Sequence, residues 1–320
     1  MHNKKILVVF GSTGAQGGSV INSILGSDAL STEYHIRAVC RDVTKPAAKS
    51  LKARGVEIVS ADLSSEDDVR SVLTEACSIF LVTDYSGNSC NSELELKQGK
   101  TVANVAKEVG IQHLIFSSLL HVSKITRNEI TNAHEFDSKA KIEEHIRALQ
   151  LPATFILAGF YMSIFAPGGF ITKSSQRQNT WTLSLPLPSD KPTLPLLHCE
   201  ADYGKFVTAA LLKKSELIGA RVFAAQGYYS PRQIADAVSK DDNAQRICYV
   251  EEVTDESFIE RVSSSGDVTS ARQKERLDMH RFTRKYGYFN GADLSENTKW
   301  LDQRLVSWEE YVANNPAFHV

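Results

Sequence analysis

The five cysteines of this 320-residue chain, Cys40, Cys77, Cys90, Cys199 and Cys248, include no CxxC pair and are odd in number and far apart. That absence excludes a cysteine-based zinc site and a redox-cycling dithiol, no metal is expected, and a reducing compartment fits best. A basic excess is also missing. With a formal net charge of -2, the chain lacks the field that nonspecific phosphate-backbone binding needs, so no direct nucleic-acid contact is expected. The apolar run Leu151 to Phe170 carries no charge and has the length of a membrane span. Pro152, Gly159, Pro167, Gly168 and Gly169 interrupt it, so "ATFILAG" reads as a buried strand with a loop beyond, and no membrane span is expected. The opening "MHNKKILVVFGSTG" lacks an apolar helix long enough for a signal peptide and reads as a first strand. No internal repeat is found.

What is present is a regular alternation. "KILVVF" (5–10), "HIRAVC" (35–40), "VEIVSA" (56–61), "SIFLVTD" (78–84) and "HLIFSS" (113–118) are apolar runs of strand length, as strands covered on both faces require. Helical stretches separate them. In "SELELKQGKTVANVAKEVG", Leu94, Val102, Val105, Ala106 and Val109 mark one apolar face and Gly110 supplies the stop. This order predicts an α/β fold: a Rossmann-type doubly wound parallel sheet with a smaller α/β carboxyl-terminal lobe. The expected division is 1–155 for the nucleotide-binding lobe and 156–320 for a smaller substrate or partner lobe intertwined with it. Within the latter, the prolines of "LSLPLPSDKPTLPLLHC" predict an extended connection over the surface, 201–214 and 230–240 read as helices, and 221–226 reads as a strand. The cationic run "RQKERLDMHRFTRK" (272–285) reads as a solvated helix face.

The glycines Gly11, Gly14 and Gly17 follow the first strand directly and precede "SVINSIL", which can start a helix. One permits positive φ, one lets main-chain amides approach a pyrophosphate, and one lets the helix pack closely on the strand. The helix amino terminus then offers unpaired N–H groups to the anion. At the end of the second strand, where a carboxylate would select NAD, the sequence has "VCRDVTKPAAK". Arg41 can fork onto a 2′-phosphate and Lys45 can add charge, which favours NADP(H); Asp42 should point away from Arg41. Asp62 and Leu63 close the third strand near the expected adenine, and Asp62 is equally a cap for the helix in "SSEDDVRSVL".

Taken together, "VVFGSTGAQGGSV", "RDVTKPAAK", "LVTDYSGNSCNSELELKQGK", "FDSKAKIEEHIRALQLPATFILAGFY" and "ADYGKFVTAALL" resemble the NmrA-like family of the atypical short-chain dehydrogenase/reductase superfamily, most of all its redox-sensor members. The resemblance runs along most of the chain and is sharpest over 5–161. It implies a Rossmann lobe preferring NADP(H), a smaller carboxyl-terminal lobe and, in several members, a regulatory role. It also implies that Gly11, Ser12, Thr13, Gly14, Ala15, Gln16 and Gly17 wrap the pyrophosphate and that Arg41 to Lys45 hold the adenosine phosphate. Thr83, Asp84 and Tyr85 would line the nicotinamide ribose, Lys97 and Lys139 would lie near the cofactor, and Ala158, Gly159, Phe160 and Tyr161 would pass beside the nicotinamide. The cytoplasm is the implied location, with the nucleus as a second one.

Reductases of this superfamily use a YxxxK pair, and no tyrosine here lies four residues before a lysine. If Lys139 is the lysine, the tyrosine position is Glu135, a carboxylate unless burial raises its pKa, with His134 beside it. Ser117 and Ser118 end a strand at the usual substrate-orienting place. Two readings follow. One is a regulator that answers the NADPH/NADP+ ratio through a loop or oligomeric surface met by a partner protein or a second copy, with 85–93 and 166–178 as the moving parts. The other is an NADPH-dependent reductase of a quinone, carbonyl or conjugated alkene, with Lys139 or His134 giving the proton.

Overall fold

The computed structural model describes residues 4–174, 177, 179–240, 246–264 and 269–318. Six strands, β1 (Lys5–Val9), β2 (Tyr34–Cys40), β3 (Glu57–Ser60), β4 (Ala76–Leu81), β5 (His113–Ser118) and β6 (Ala153–Ala158), join the later strand Arg221–Ala224 in one seven-stranded sheet. Every pairing in it is parallel, in the order Arg221–Ala224, β6, β5, β4, β1, β2, β3. The chain winds outward from β1 to β3, then restarts at β4 on the other side. The strand order therefore reverses between β1 and β4, which opens a crevice at their carboxyl ends.

The two-residue period of a strand splits these apolar runs between two cores. Leu7, Val9 and Phe80 face a cluster shared with Tyr203 and Phe206, whereas Val8, Phe10, Ile79 and Leu81 face one shared with Val102 and Phe155. Each such side chain, fully buried, contributes about 1.5–3 kcal/mol. Helices Ala15–Leu25 and Cys199–Leu212 pack on the first face, pinned where the Gly204 N–H donates to Ser19 Oγ at 2.9 Å. Helices Ser92–Glu108 and His134–Ala148 cover the other. Both Cys199–Leu212 and Arg221–Ala224 come from the second half of the chain, so residues 156–320 serve the main sheet as well as the smaller part.

The smaller part holds two three-stranded sheets: Ile247–Glu252, Thr180–Leu185 and Ile171–Lys173, and Gly227–Tyr229, Leu194–Leu197 and Phe160–Tyr161. The proline-rich stretch is extended as expected, but it lies at the surface only over 188–192, and its two flanks are buried. Leu183, Leu185, Leu187, Leu194, Leu196 and Leu197 are all buried, because leucines between the prolines reach the core while the prolines keep the backbone extended. Pro195 even pairs with Tyr228 in the middle strand of its sheet. Helix Pro231–Ser239 forms as its sequence foretells, with Pro231 in the first turn and a Ser230–Gln233 capping box. The run 166–178 includes residues 175, 176 and 178, which lie outside the described residues. Among the described residues no helix is long and apolar enough to cross a membrane.

Candidate functional site

The crevice widens into a cleft of about 1750 Å³ that runs from the glycine turn to the helix Ser270–Tyr286. Pockets for one small ligand span roughly 300–1,000 Å³. This cleft therefore has room for two molecules side by side.

At its floor, Gly11 takes φ +63, and a Cβ there would lie 2.6 Å from Val82 Cγ1. A Cβ on Gly17 would lie 2.2 Å from the Gly11 carbonyl oxygen, so only hydrogen fits where helix and turn touch. Gly14 caps the helix Ala15–Leu25 without a side-chain hydrogen bond, which leaves first-turn N–H groups for an outside acceptor. Thr13, Gly14, Ala15 and Gln16 line the cleft. Ser12 does not: its hydroxyl donates to the Val39 carbonyl at 2.9 Å and ties the turn to β2. Gln16 Nε2 donates to the Tyr161 hydroxyl at 2.7 Å, linking the turn to the segment Ala158–Tyr161, all of which lines the cleft. Burial raises the Tyr161 pKa well above that of a free phenol, so the phenol stays neutral.

Arg41 stands exposed at one rim, its Nη2 2.8 Å from Asp84 Oδ2. Asp42 is turned into its own loop, where Oδ1 accepts from the Thr44 N–H and hydroxyl, leaving Arg41 as the rim cation. Asp62 and Leu63 line the cleft. The cap of the helix Glu66–Leu73 is Ser65 rather than Asp62, which instead accepts from the Ser64 N–H. Two expected lysines lie elsewhere. Lys45 is the exposed residue that starts the helix Pro46–Ala53, and Lys97 is on the exposed face of Ser92–Glu108. The residues of that helix that line the cleft are Leu94 and Gln98, the neighbour of Lys97, which bonds Asn88 and Ser64.

Deeper in, Lys139 Nζ donates to Glu95 Oε1 at 2.5 Å and to the Thr83 carbonyl and hydroxyl oxygens at 3.0 Å each. Glu95 is fully buried and also accepts from the hydroxyls of Thr83 and Ser138. An ammonium has three N–H donors, and all three are engaged. His134, the other expected proton donor, is exposed and does not line the cleft, because its side chain leaves the opposite side of the first turn of His134–Ala148. Glu135 lines it instead. Its carboxylate is 3.6 Å from Arg272, and burial pushes its pKa up despite Lys139 and Arg272 nearby. Ser117 and Ser118 line the cleft at the end of β5, and Ser118 donates to the buried Glu143 at 2.6 Å.

Tyr85 is buried at the base, donates to Glu275 Oε2 at 3.2 Å and lies under the Arg272 guanidinium, 5.3 Å from its ring centre. The cationic run was expected to be a solvated face. Arg281, Arg284 and Lys285 do pair at the surface with Asp255 and Glu129. Arg272, Arg276 and Met279, however, form a stripe of the same helix that faces the cleft. Their i, i+4, i+7 spacing was visible in the sequence; the element they face was not. Among the described residues no group of His, Cys, Asp and Glu is arranged to hold a metal ion.

A family model described as "NmrA-like family" matches residues 3–312. The chain belongs to the NmrA-like family. An NmrA-like family domain-containing oxidoreductase of Aspergillus campestris is 30% identical over 250 residues, covering 73% of this chain and 72% of that protein. An NmrA-like family domain-containing protein of Dictyostelium discoideum is 28% identical over 321 residues, 97% of each chain. Among solved structures, NmrA, a negative transcriptional regulator, in complex with NADP superposes with a TM-score of 0.79 at 22% identity, covering 97% of this chain and 95% of that one. An NADPH-dependent quinone oxidoreductase of Escherichia coli complexed with NADPH gives 0.72 at 18% identity, covering 96% and 98%. These superpositions show that the doubly wound sheet and smaller part of this NmrA-like chain form the fold of those proteins.

Proposed function

We propose that this chain binds NADP(H) along the glycine turn and uses it to reduce an apolar acceptor, a quinone, carbonyl or conjugated alkene, in the space beyond Lys139. The observation that carries this reading is the continuation of the cleft past Lys139 and Tyr161 into a chamber walled by Ile164, Phe170, Phe258, Val262 and Met279. Relatives named oxidoreductases and a structural neighbour named a quinone oxidoreductase support it. The close contact of Gly17 with Gly11 and the uncapped helix start suit a pyrophosphate, and Arg41 suits a 2′-phosphate. When bound, the dinucleotide supplies a hydride.

The chain's own part is positioning and proton supply. Lys139, held by Glu95, fixes Thr83 at the exit of β4 and is not free to give a proton. Glu135 faces the cleft with a carboxyl whose pKa burial raises, and it is the group placed to pass a proton to the acceptor oxygen. For a quinone, solvent supplies protons as well. The test is oxidation of NADPH by purified protein with a panel of quinones, aldehydes and enones; turnover that falls at least tenfold in Glu135→Gln while nucleotide affinity holds is the expected result, and no turnover with any of them defeats the reading.

A second reading, a regulator that senses the NADPH/NADP+ ratio, rests on a different observation. Asp84 bonds both Arg41 and the Gly87 N–H, while Tyr85 and Ser86 contact Glu275 and Arg272 of the helix Ser270–Tyr286. A nucleotide that draws Arg41 from Asp84 would thus act on a loop joined to that helix, and only a difference in affinity between NADPH and NADP+ would make the effect redox-dependent. Unequal affinities, with a change in oligomeric state or partner binding and no turnover, would favour this reading.

A further inference from the structure

The chamber's polar groups are unevenly matched. Arg261 bonds both oxygens of Glu251 at 2.9 Å, and Arg272 bonds Glu275 at 2.7 Å. Arg276 lines the same cleft one turn beyond Arg272, and among the described residues it has no carboxylate or carbonyl partner. It is partly buried, and loss of water together with the Arg272 charge lowers its pKa. A partly buried guanidinium that bonds no carboxylate is costly even with the Glu275 charge nearby, and an arriving anion offsets that cost. Around it the wall is apolar: Ile164, Phe170, Phe258, Val262 and Met279. Of the nearby acids, Glu275 is bonded to Tyr85 and Arg272, and Glu135 is turned toward Arg272.

From this juxtaposition we infer that the chamber takes an acceptor with a flat or branched apolar body and one anionic group, a carboxylate, sulfonate or acidic phenolate, docked on Arg276. This deepens the reductase reading by naming its substrate class, but the binding it describes needs no turnover. The fork of the guanidinium matches a two-oxygen anion, while the rings and thioether accept the apolar body and leave the reducible bond to point back toward Lys139 and Tyr161.

The test uses 2-naphthoate and its neutral counterpart 2-naphthamide, titrated by calorimetry into the full chain saturated with NADP+. Naphthoate should bind about tenfold or more tightly than naphthamide. Arg276→Ala should remove that preference while leaving naphthamide and NADP+ affinities within about twofold, and Arg276→Lys should keep part of it. Because Arg276 bonds no acceptor among the described residues, thermal melting should show both variants folded. Wild-type protein that does not prefer naphthoate, or an Arg276→Ala loss shared equally by naphthamide, overturns the inference. So does a loss confined to NADP+, which would give the arginine to the nucleotide. If naphthoate binds as described and no NADPH is ever consumed, the inference stands and the reductase reading alone fails.

Discussion

Removing the Lys139 ammonium by Lys139→Met should destabilise the chain by about 3–5 kcal/mol, the cost of leaving one member of a buried ion pair alone. Glu95 is fully buried, and Lys139 is 5% exposed. The carboxylate would keep the Thr83 and Ser138 hydroxyls as donors but lose its only cation, which places the expected loss near the lower end of that range. Combining Lys139→Met with Glu95→Gln removes both charges, and a coupling energy of about 1–3 kcal/mol should return. Urea denaturation of the four proteins at neutral pH measures both quantities. A single-mutant cost under about 1 kcal/mol, or strictly additive effects, would refute the view that the site lysine is a buried anchor rather than a mobile proton carrier.

Arg41→Ala should weaken NADPH by more than about 1 kcal/mol and hardly change NADH, read by fluorescence titration; equal losses would show that Arg41 does not read the phosphate. Asp84→Asn frees Arg41 from an exposed pair worth about 0.2–1 kcal/mol, so NADPH should bind up to a few-fold more tightly, and unchanged or weaker binding would contradict the competition. Gly17→Ala forces a Cβ onto the Gly11 carbonyl and should cost about 1–3 kcal/mol of stability along with nucleotide binding; a variant that binds normally would disprove the close contact. His280 is fully buried, among the described residues has no hydrogen-bond partner on either ring nitrogen, and burial holds its pKa down to about 3. Below pH 6.5 the unfolded chain takes up this proton first, so stability should fall toward pH 3 with a slope of about 1.4 kcal/mol per pH unit from this group, and His280→Leu should remove that slope.

The sheet was legible because each apolar run has strand length and lies between helical stretches, and strands covered on both faces require that pattern. The run 78–84 was read too long: β4 ends at Leu81, since Val82 turns against Gly11 and Thr83 turns to Lys139. Within the glycine turn, residue spacing could not tell that Ser12 faces β2 while Thr13 faces the cleft. Lys97 was drawn from family resemblance, but the rotation of its helix sets Gln98 toward the cleft. Arg272 and Arg276 escaped notice for another reason: charges at helical spacing read as solvated until the tertiary fold lays that helix across a cleft built by residues far earlier in the chain.

In the reading proposed above, first-turn main-chain N–H groups at Ala15 to Gly17, flanked by Arg41, receive a phosphorylated nicotinamide dinucleotide. Isothermal titration calorimetry of the purified chain with NADPH, NADP+, NADH and NAD+ tests it most directly. Saturable one-to-one heat is expected with the phosphorylated pair, and binding of the other two weaker by about tenfold or more. No heat with either NADPH or NADP+ would contradict it.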